Sequence, residues 1–195
     1  MSYIQSYDDF VAQFTPHQLP ELLRQLFALE QQDPDSVLSD GFYLRCMDKS
    51  GLQSYSSEPV FVNSFIEFAN ANYTGSTYAY WLITEDLAQC PIVAFGDEGG
   101  IRVVAQDLPE LLHLLTFDTE PIVAWDSAFY YTDEAALPGR RHSERYAEYL
   151  SWVKEHLQLD PITTNEAADN ITVAAREKYQ ARLDDFLRLN GIEID

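Results

Sequence analysis

The chain has 195 residues, of which 46% are hydrophobic and 13% aromatic, so it can form one substantial core and is not intrinsically disordered. Its 32 acidic and 12 basic residues give a net charge of −20. This charge disfavours binding to nucleic acids and to anionic membrane surfaces and attracts basic proteins, although it is equally explained by a need for solubility alone.

The first two-thirds of the chain predict two helices followed by strands. The helices cover Tyr7–Phe14 and the segment from Pro20 to about Gln31, where an apolar stripe repeats with helical spacing. The predicted strands are Gly41–Met47, Val60–Ala69, Thr77–Ile83, Pro91–Phe95 and Ile101–Ala105. The last two flank the segment Gly96–Gly100, which predicts a hairpin turn.

The remaining elements are helical. Asp107 and Glu110 have the spacing of a capping box and predict that a helix begins there. Apolar residues repeat with helical spacing from Tyr146 to Leu157, and a further helix is predicted from Thr163 onwards. The order of elements predicts an α+β fold with a central, mostly antiparallel sheet, helices packed around it and a C-terminal two-helix extension. Within this fold, we expect the helices of the core to lie on one face of the sheet.

Charge is distributed unevenly along the sequence. Residues 1–139 contain 21 acidic and 4 basic side chains, whereas residues 140–195 contain 11 and 8. We therefore predict a core over 1–139 and a helical extension over 140–195. The apolar stripes of the two tail helices must pack against another apolar surface. This surface is either the core or a second copy of the chain in a homodimer.

The sequence also predicts a cellular compartment. The N-terminal segment has neither a basic start nor an apolar stretch of signal-peptide length. No apolar run approaches the roughly 18 residues that a membrane span requires. Cys46 and Cys90 lie in apolar, strand-like segments and are expected to be buried thiols of a reducing compartment. These features favour a cytoplasmic protein.

Motifs for catalysis, cofactors or metals are not found. The glycine-rich segment Gly96–Gly100 contains Asp97 and Glu98 in place of the Lys and Ser or Thr of a phosphate-binding loop. None of the four histidines pairs with another His or Cys at ligand spacing. Acid pairs such as Glu85-Asp86 could act in general acid–base catalysis, but adjacent acids are expected by chance among 32. We therefore predict no catalytic, cofactor-binding or metal-binding residues and favour a non-enzymatic role.

Aromatic and acidic residues alternate in two parts of the chain, in the central strands and in Trp125–Glu134. Aromatic side chains supply much of the energy of protein interfaces, and neighbouring acids suit a basic partner. The alternative is that most of these rings belong to the core. Alternation along a strand already places Tyr78 and Tyr80 on the opposite face from Trp81. The predicted partner-binding residues are Trp81, Asp97, Glu98, Tyr130, Tyr131, Asp133 and Glu134.

Three segments between Phe61 and Leu115 resemble the SUKH superfamily in their order and spacing. They are Ile66–Trp81, Pro91–Gly99 and Val103–Leu115. The resemblance implies an α+β fold and a protein-binding role, with Trp81 and the turn Gly96–Gly99 as determinants of shape. Bacterial members commonly neutralise polymorphic toxins as immunity proteins, and fungal members are scaffolds that regulate cell-wall synthesis.

Charge and resemblance together lead to one expected function. We expect a cytoplasmic immunity protein whose acidic surface covers a basic toxin domain, for example a nuclease. The alternative within the same family is a regulatory or scaffold protein that binds a partner other than a toxin. No cofactor, nucleic acid or membrane is expected to take part.

Overall fold

The computed structural model describes residues 6–133 and 139–193 of the chain. The helices in this part of the chain are α1 (Tyr7–Ala12), α2 (Glu21–Glu30), α3 (Ser50–Tyr55), α4 (Pro59–Val62), α5 (Leu108–Leu114), α6 (Tyr146–Leu157) and α7 (Asn165–Leu189). The strands are β1 (Tyr43–Leu44), β2 (Phe65–Asn70), β3 (Thr77–Trp81), β4 (Ile92–Phe95), β5 (Ile101–Ala105), β6 (Pro121–Val123) and β7 (Ala128–Tyr130). Short 3-10 turns cover Leu87–Gln89 and Leu115–Phe117.

The five strands β1 to β5 form one antiparallel sheet in sequence order, and β6 and β7 form a separate hairpin. The predicted α+β fold with a central antiparallel sheet is confirmed. The narrower expectation that helices lie on one face was wrong. Every residue of β2, β4 and β5 is buried, because helices cover both faces of the sheet.

Each face of the sheet carries its own apolar cluster. On one face, α1, α2, α5 and α6 pack against strand residues that include Phe68, Tyr78 and Tyr80. On the other face, α3, α4 and α7 pack against residues that include Phe65, Trp81 and Phe95. The predicted separation of Tyr78 and Tyr80 from Trp81 is therefore confirmed.

Four segments depart from the predicted elements, the first being helix α3, which was not predicted. Residues Pro59–Val62 form a helical turn rather than the start of a strand, because Pro59 occupies the first helical position, where its missing N–H is not needed. The strand predicted over Gly41–Met47 is only two residues long. The β6–β7 hairpin was not predicted.

Helices α6 and α7 pack on the core. Tyr149 and Trp152 of α6 join the first cluster, and Leu183 and Leu187 of α7 join the second. The buried residues of these stripes are thus covered by the chain's own core, those of α6 by α5 and those of α7 by the sheet, and the homodimer stays a prediction. None of the helices in the described ranges has the length and apolarity that crossing a membrane requires.

The free edge of β5 is also covered by α7. The Gln180 side chain accepts a hydrogen bond from the backbone N–H of Val103 at 2.9 Å and donates one to the carbonyl of Ile101 at 3.4 Å. A side-chain amide thus takes the place that a sixth strand would occupy. Edge strands without such cover are prone to pair with other chains.

A buried carboxyl group attaches the short strand β1 to α2. Both carboxyl oxygens of Glu30 lie within hydrogen-bond distance of the Leu44 N–H, at 3.0 and 3.2 Å. Burial raises the pKa of Glu30 to about 8, against the smaller opposing effects of the Leu44 N–H and of Arg145. Arg145 is itself buried and donates to the carbonyls of Leu29 and Glu30 at the end of α2. The protein therefore holds a carboxyl group in a site that favours its protonated form.

We predict that Glu30→Gln flattens the pH dependence of stability. Because the pKa of Glu30 is about 8 in the folded state and the ordinary pKa of a glutamate is about 4.5, the folded state retains a proton that the unfolded chain releases between these values. This stabilising contribution is complete below the unfolded pKa and is lost as the pH rises to the folded pKa, at up to about 1.4 kcal/mol per pH unit. A glutamine cannot ionise and should remove this slope.

The free energy of unfolding is measured in urea at several pH values between about 5 and 8. Glu155→Gln, at an exposed position of α6, is the control and should keep the wild-type slope. Equal slopes in wild type and Glu30→Gln would contradict the assignment.

A second buried carboxylate fixes the segment that leads into α6. The side chain of Asp118 accepts hydrogen bonds from the backbone N–H of Asp40 at 2.9 Å and from the Ser143 N–H and hydroxyl at 3.0 and 2.6 Å. Nδ1 of His142 lies 2.8 Å from Oδ2 of Asp118. Arg140 donates to the carbonyl of Asp118. The Asp118 carboxylate thus connects Asp40, which lies before it in the sequence, to His142 and Ser143, which lie after it.

We predict that Asp118→Asn lowers the free energy of unfolding by about 2 kcal/mol, because one amide oxygen cannot accept from all of these donors. Asparagine tolerates the left-handed backbone conformation of this residue (φ 55°), so the loss would report the hydrogen bonds. Asp126→Asn, at an exposed turn position, should change stability by less than about 0.5 kcal/mol. Equal effects of the two substitutions in urea unfolding would refute the prediction.

Candidate functional site

Large apolar side chains are concentrated at the surface around the β6–β7 hairpin. Of the eight large hydrophobic residues that are exposed in the described ranges, four lie there, each between 47% and 59% exposed. They are Tyr73, Ile122, Trp125 and Tyr131. Clustered exposure of this kind is typical of binding surfaces, whereas single exposed apolar residues are ordinary.

The pairing of β6 with β7 decides which hairpin residues face outward. Ile122 lies opposite Phe129, so both side chains are on the same face of the hairpin, and alternation adds Tyr131 to it. Ala128 and Tyr130 point the other way and join the core. The hairpin therefore has an apolar outer face and is attached to the protein by its inner face.

Glycines bring the turn between β4 and β5 into close contact with the hairpin. Gly99 has a φ of +104°, and a Cβ atom there would lie 2.7 Å from Cη2 of Trp125. A Cβ atom on Gly100 would overlap the carbonyl of Ala124. The Trp125 ring therefore rests on the glycine backbone, in a position that a side chain at residue 99 would prevent.

A network of hydrogen bonds joins the same turn to the one between β2 and β3. Oδ1 of Asn72 accepts from the backbone N–H groups of Thr74, Gly75 and Ser76 at 2.7 to 3.1 Å. The hydroxyl of Ser76 donates to Asp97 at 2.7 Å. Hydrogen bonds from the side chains of Thr74 and Ser76 hold the pKa of Asp97 below its ordinary value. Asp97 is exposed, and these hydrogen bonds favour its ionised form and fix its position.

Glu120 connects this network to the start of β6. Its Oε1 accepts from the backbone N–H of Tyr73 at 2.8 Å. A Cβ atom on Gly41 would overlap the Glu120 side chain, so the chain approaches this carboxylate closely. Burial raises the pKa of Glu120, and nearby Asp40 and Asp97 act in the same direction.

These elements lie at the β6–β7 hairpin and at the two turns that contact it, and we call the surface that they supply the hairpin surface. It consists of Tyr73, Asp97, Glu98, Glu120, Ile122, Trp125, Asp126, Phe129 and Tyr131. Residues 70–76, 96–100 and 119–131, which supply it, contain no Lys or Arg. Arg102, the one basic residue between Lys49 and Arg140 in the sequence, is buried and pairs with Asp184 at 3.4 Å. The segments of the surface thus combine exposed rings with carboxylates, whereas Arg140 and Arg141 lie beside Tyr73, at one side of it.

The structure brings some of the predicted partner-binding residues to this surface. Asp97 and Glu98 are exposed in the turn between β4 and β5, and Tyr131 is exposed directly after β7. Asp133 is exposed two residues further along, where the backbone of Thr132 is bound by the Asn165 side chain. Glu134 lies outside the described residues.

Trp81 and Tyr130 do not belong to the surface, and their prediction as partner-binding residues is corrected. Trp81 is buried beneath α7, with its ring 5.9 Å from that of Phe186. Tyr130 is buried with its hydroxyl 2.7 Å from that of Tyr78. The aromatic content of these segments gave no indication of which rings face the core.

The sequence contained a signal for the residues that were missed. Two short apolar runs, Pro121–Ala124 and Ala128–Tyr131, flank a Trp125-Asp126 pair, which is the pattern of a hairpin with a tight turn. Alternation within the runs then separates outward from inward side chains. Tyr73, in contrast, is recognisable only from the turn geometry.

The arrangement of charged groups bears on other kinds of site. In residues 6–133 and 139–193, no group of three or more His, Cys, Asp or Glu side chains is placed to hold a metal ion. Glu98 and Asp126 are exposed close to Trp125 in the chain and at the glycine turn, and carboxylates beside an exposed ring suit contact with a positively charged macromolecule. A polar cavity lies beside Tyr73 and is lined by Asp40, Asp118, Arg140 and Arg141.

Comparison of the chain with protein-family models, with curated proteins and with solved structures finds no match. The resemblance to the SUKH superfamily remains a prediction from Ile66–Trp81, Pro91–Gly99 and Val103–Leu115. The structure itself supplies the α+β architecture and the hairpin surface as the basis for a functional proposal.

We predict that the fluorescence of Trp125 distinguishes ionic quenchers by charge. Trp81 and Trp152 are buried whereas Trp125 is exposed and is followed by Asp126, so at low salt caesium should quench the protein more strongly than iodide when each is normalised to its quenching of free tryptophan. Added sodium chloride should reduce the difference by screening. Trp125→Phe should remove most of the quenchable emission, and equal quenching by the two ions would contradict the electrostatic description.

Proposed function

We propose that this protein binds a basic protein partner through the hairpin surface, and that it acts as an immunity protein that neutralises a cognate toxin. The observation that carries the proposal is the placement of exposed aromatic rings and exposed carboxylates on one surface whose segments have no basic residue. The resemblance to the SUKH superfamily supports the biological role. The proposed partner is a basic toxin domain, such as a nuclease whose own surface attracts phosphate.

The two kinds of side chain would contribute in different ways. Trp125, Tyr73 and Tyr131 offer large rings with few rotatable bonds, and such residues commonly contribute most to interface affinity. Glu98 and Asp126 beside them would attract the partner and select its orientation. Association should therefore be fast at low salt, whereas the lifetime of the complex should depend on the rings.

The proposal is tested by expressing the chain with toxin domains that are encoded beside its gene and isolating the complex. A cognate toxin should co-purify and lose its toxicity, and cells that lack this protein should be killed by the toxin. Deletion without harm beside an active toxin would refute the immunity role. Binding to a partner that is not a toxin would support the regulatory or scaffold alternative instead.

We predict that Glu98→Lys combined with Asp126→Lys weakens binding to the basic partner by about tenfold or more at low salt. Both residues are exposed on the hairpin surface. Glu155→Lys combined with Glu177→Lys changes the net charge equally at exposed positions of α6 and α7 and is the matched control.

The association rate is measured at low and high salt for both double variants. The hairpin variant should associate more slowly, and its difference from the control should shrink as salt increases. If both variants lose the same affinity, overall charge rather than the hairpin surface attracts the partner, and the location of the site is wrong.

A further inference from the structure

Trp125 is held in an unusual position for an exposed tryptophan. Part of its indole ring rests on the backbone of Gly99, because a Cβ atom there would lie within 2.8 Å of three ring atoms. More than half of the side chain nevertheless remains exposed. The ring is therefore supported on the protein side and open on the solvent side.

The glycine turn restricts the orientation of the Trp125 ring in the free protein. Gly99 and Gly100 both have positive φ angles, and Gly100 approaches the Ala124 carbonyl just before Trp125. The turn is further fixed by a hydrogen bond of 2.6 Å from the Tyr55 hydroxyl to the Gly96 carbonyl. A ring that is already positioned loses little conformational entropy on binding.

The charges around the ring determine what would bind there. Asp126 follows Trp125 directly, and Glu98 precedes the glycine on which the ring rests; both are exposed. Glu193 and the buried Arg102 line the depression beside the ring, and Arg102 is paired with Asp184. The face of a tryptophan ring attracts cations, and neighbouring carboxylates strengthen this preference. Among protein cations, the planar guanidinium of arginine can stack on the ring and also donate to a carboxylate, which the ammonium of lysine does less well.

From this geometry we infer that Trp125 is an arginine-binding subsite, in which a guanidinium group of the protein partner stacks on the exposed ring face beside Glu98 and Asp126. The inference rests on the proposed function for the identity of the partner as a basic protein, and adds which of its residues is recognised. Gly99 is a positioning residue of the subsite, since it allows the ring to lie against the turn.

The subsite is tested on the full chain with two capped synthetic peptides, hexa-arginine and hexalysine, which carry equal charge. Affinities are measured by calorimetry at low salt, and the indole N–H resonance of Trp125 is followed by NMR. Hexa-arginine should bind wild type about tenfold more tightly than hexalysine and should shift this resonance. Trp125→Leu should reduce the affinity for hexa-arginine to that for hexalysine.

Three further variants separate the contribution of the ring from those of its position and of the neighbouring charges. Gly99→Ala should reduce the preference for hexa-arginine although Trp125 is retained, and thermal unfolding verifies that this variant is folded. Glu98→Gln combined with Asp126→Asn should weaken both peptides to a similar extent. Trp125→Phe should keep part of the preference, because a smaller ring still attracts cations.

The outcomes distinguish the inference from the function on which it rests. If both peptides bind the hairpin surface equally well and Trp125→Leu changes neither affinity, the arginine subsite is refuted while the basic-partner proposal stands. If neither peptide binds wild type at low salt, the proposed attraction of basic partners fails, and the subsite fails with it. A preference for hexa-arginine that persists in Trp125→Leu would place arginine recognition elsewhere and refute the subsite.

Discussion

The contact between the β4–β5 turn and the β6–β7 hairpin is the feature on which the proposed binding surface depends. Gly99 and Gly100 have no side chains, and the hairpin uses the space to lie against the end of the sheet. The same contact places Trp125 beside Glu98 and joins the hairpin to the acidic turns. Without these glycines Trp125 could not lie against the turn that carries Glu98.

Much of the fold was predictable because local patterns decide it. The capping residue Asp107, for example, predicts where α5 begins, and the structure shows its carboxylate accepting from the Glu110 N–H. Helix α4 was not predictable from composition, since Val60–Val62 is as apolar as a strand. The cover on both faces of the sheet follows from helices distant in sequence, such as α7, which local patterns cannot place.

The site was less predictable than the fold for a related reason. Asp97 and Glu98 could be assigned to a surface turn, because acids between strands are rarely buried without partners. Trp81 and Trp125, in contrast, are chemically identical, and only the tertiary structure buries one beneath Phe186 and exposes the other on Gly99. Aromatic residues near acids therefore predicted the kind of interaction better than they predicted its residues.

The cover that α7 provides has a consequence for biosynthesis. The helix is translated after all five strands of the sheet, yet it supplies the side chains that shield Phe65 and Trp81 and the amide that occupies the β5 edge. A nascent chain that has emerged only as far as β7 thus exposes to water the residues that α7 will cover and leaves the outer edge of β5 without a hydrogen-bond partner from α7. Protection at that stage comes either from a chaperone or from elongation that is faster than aggregation.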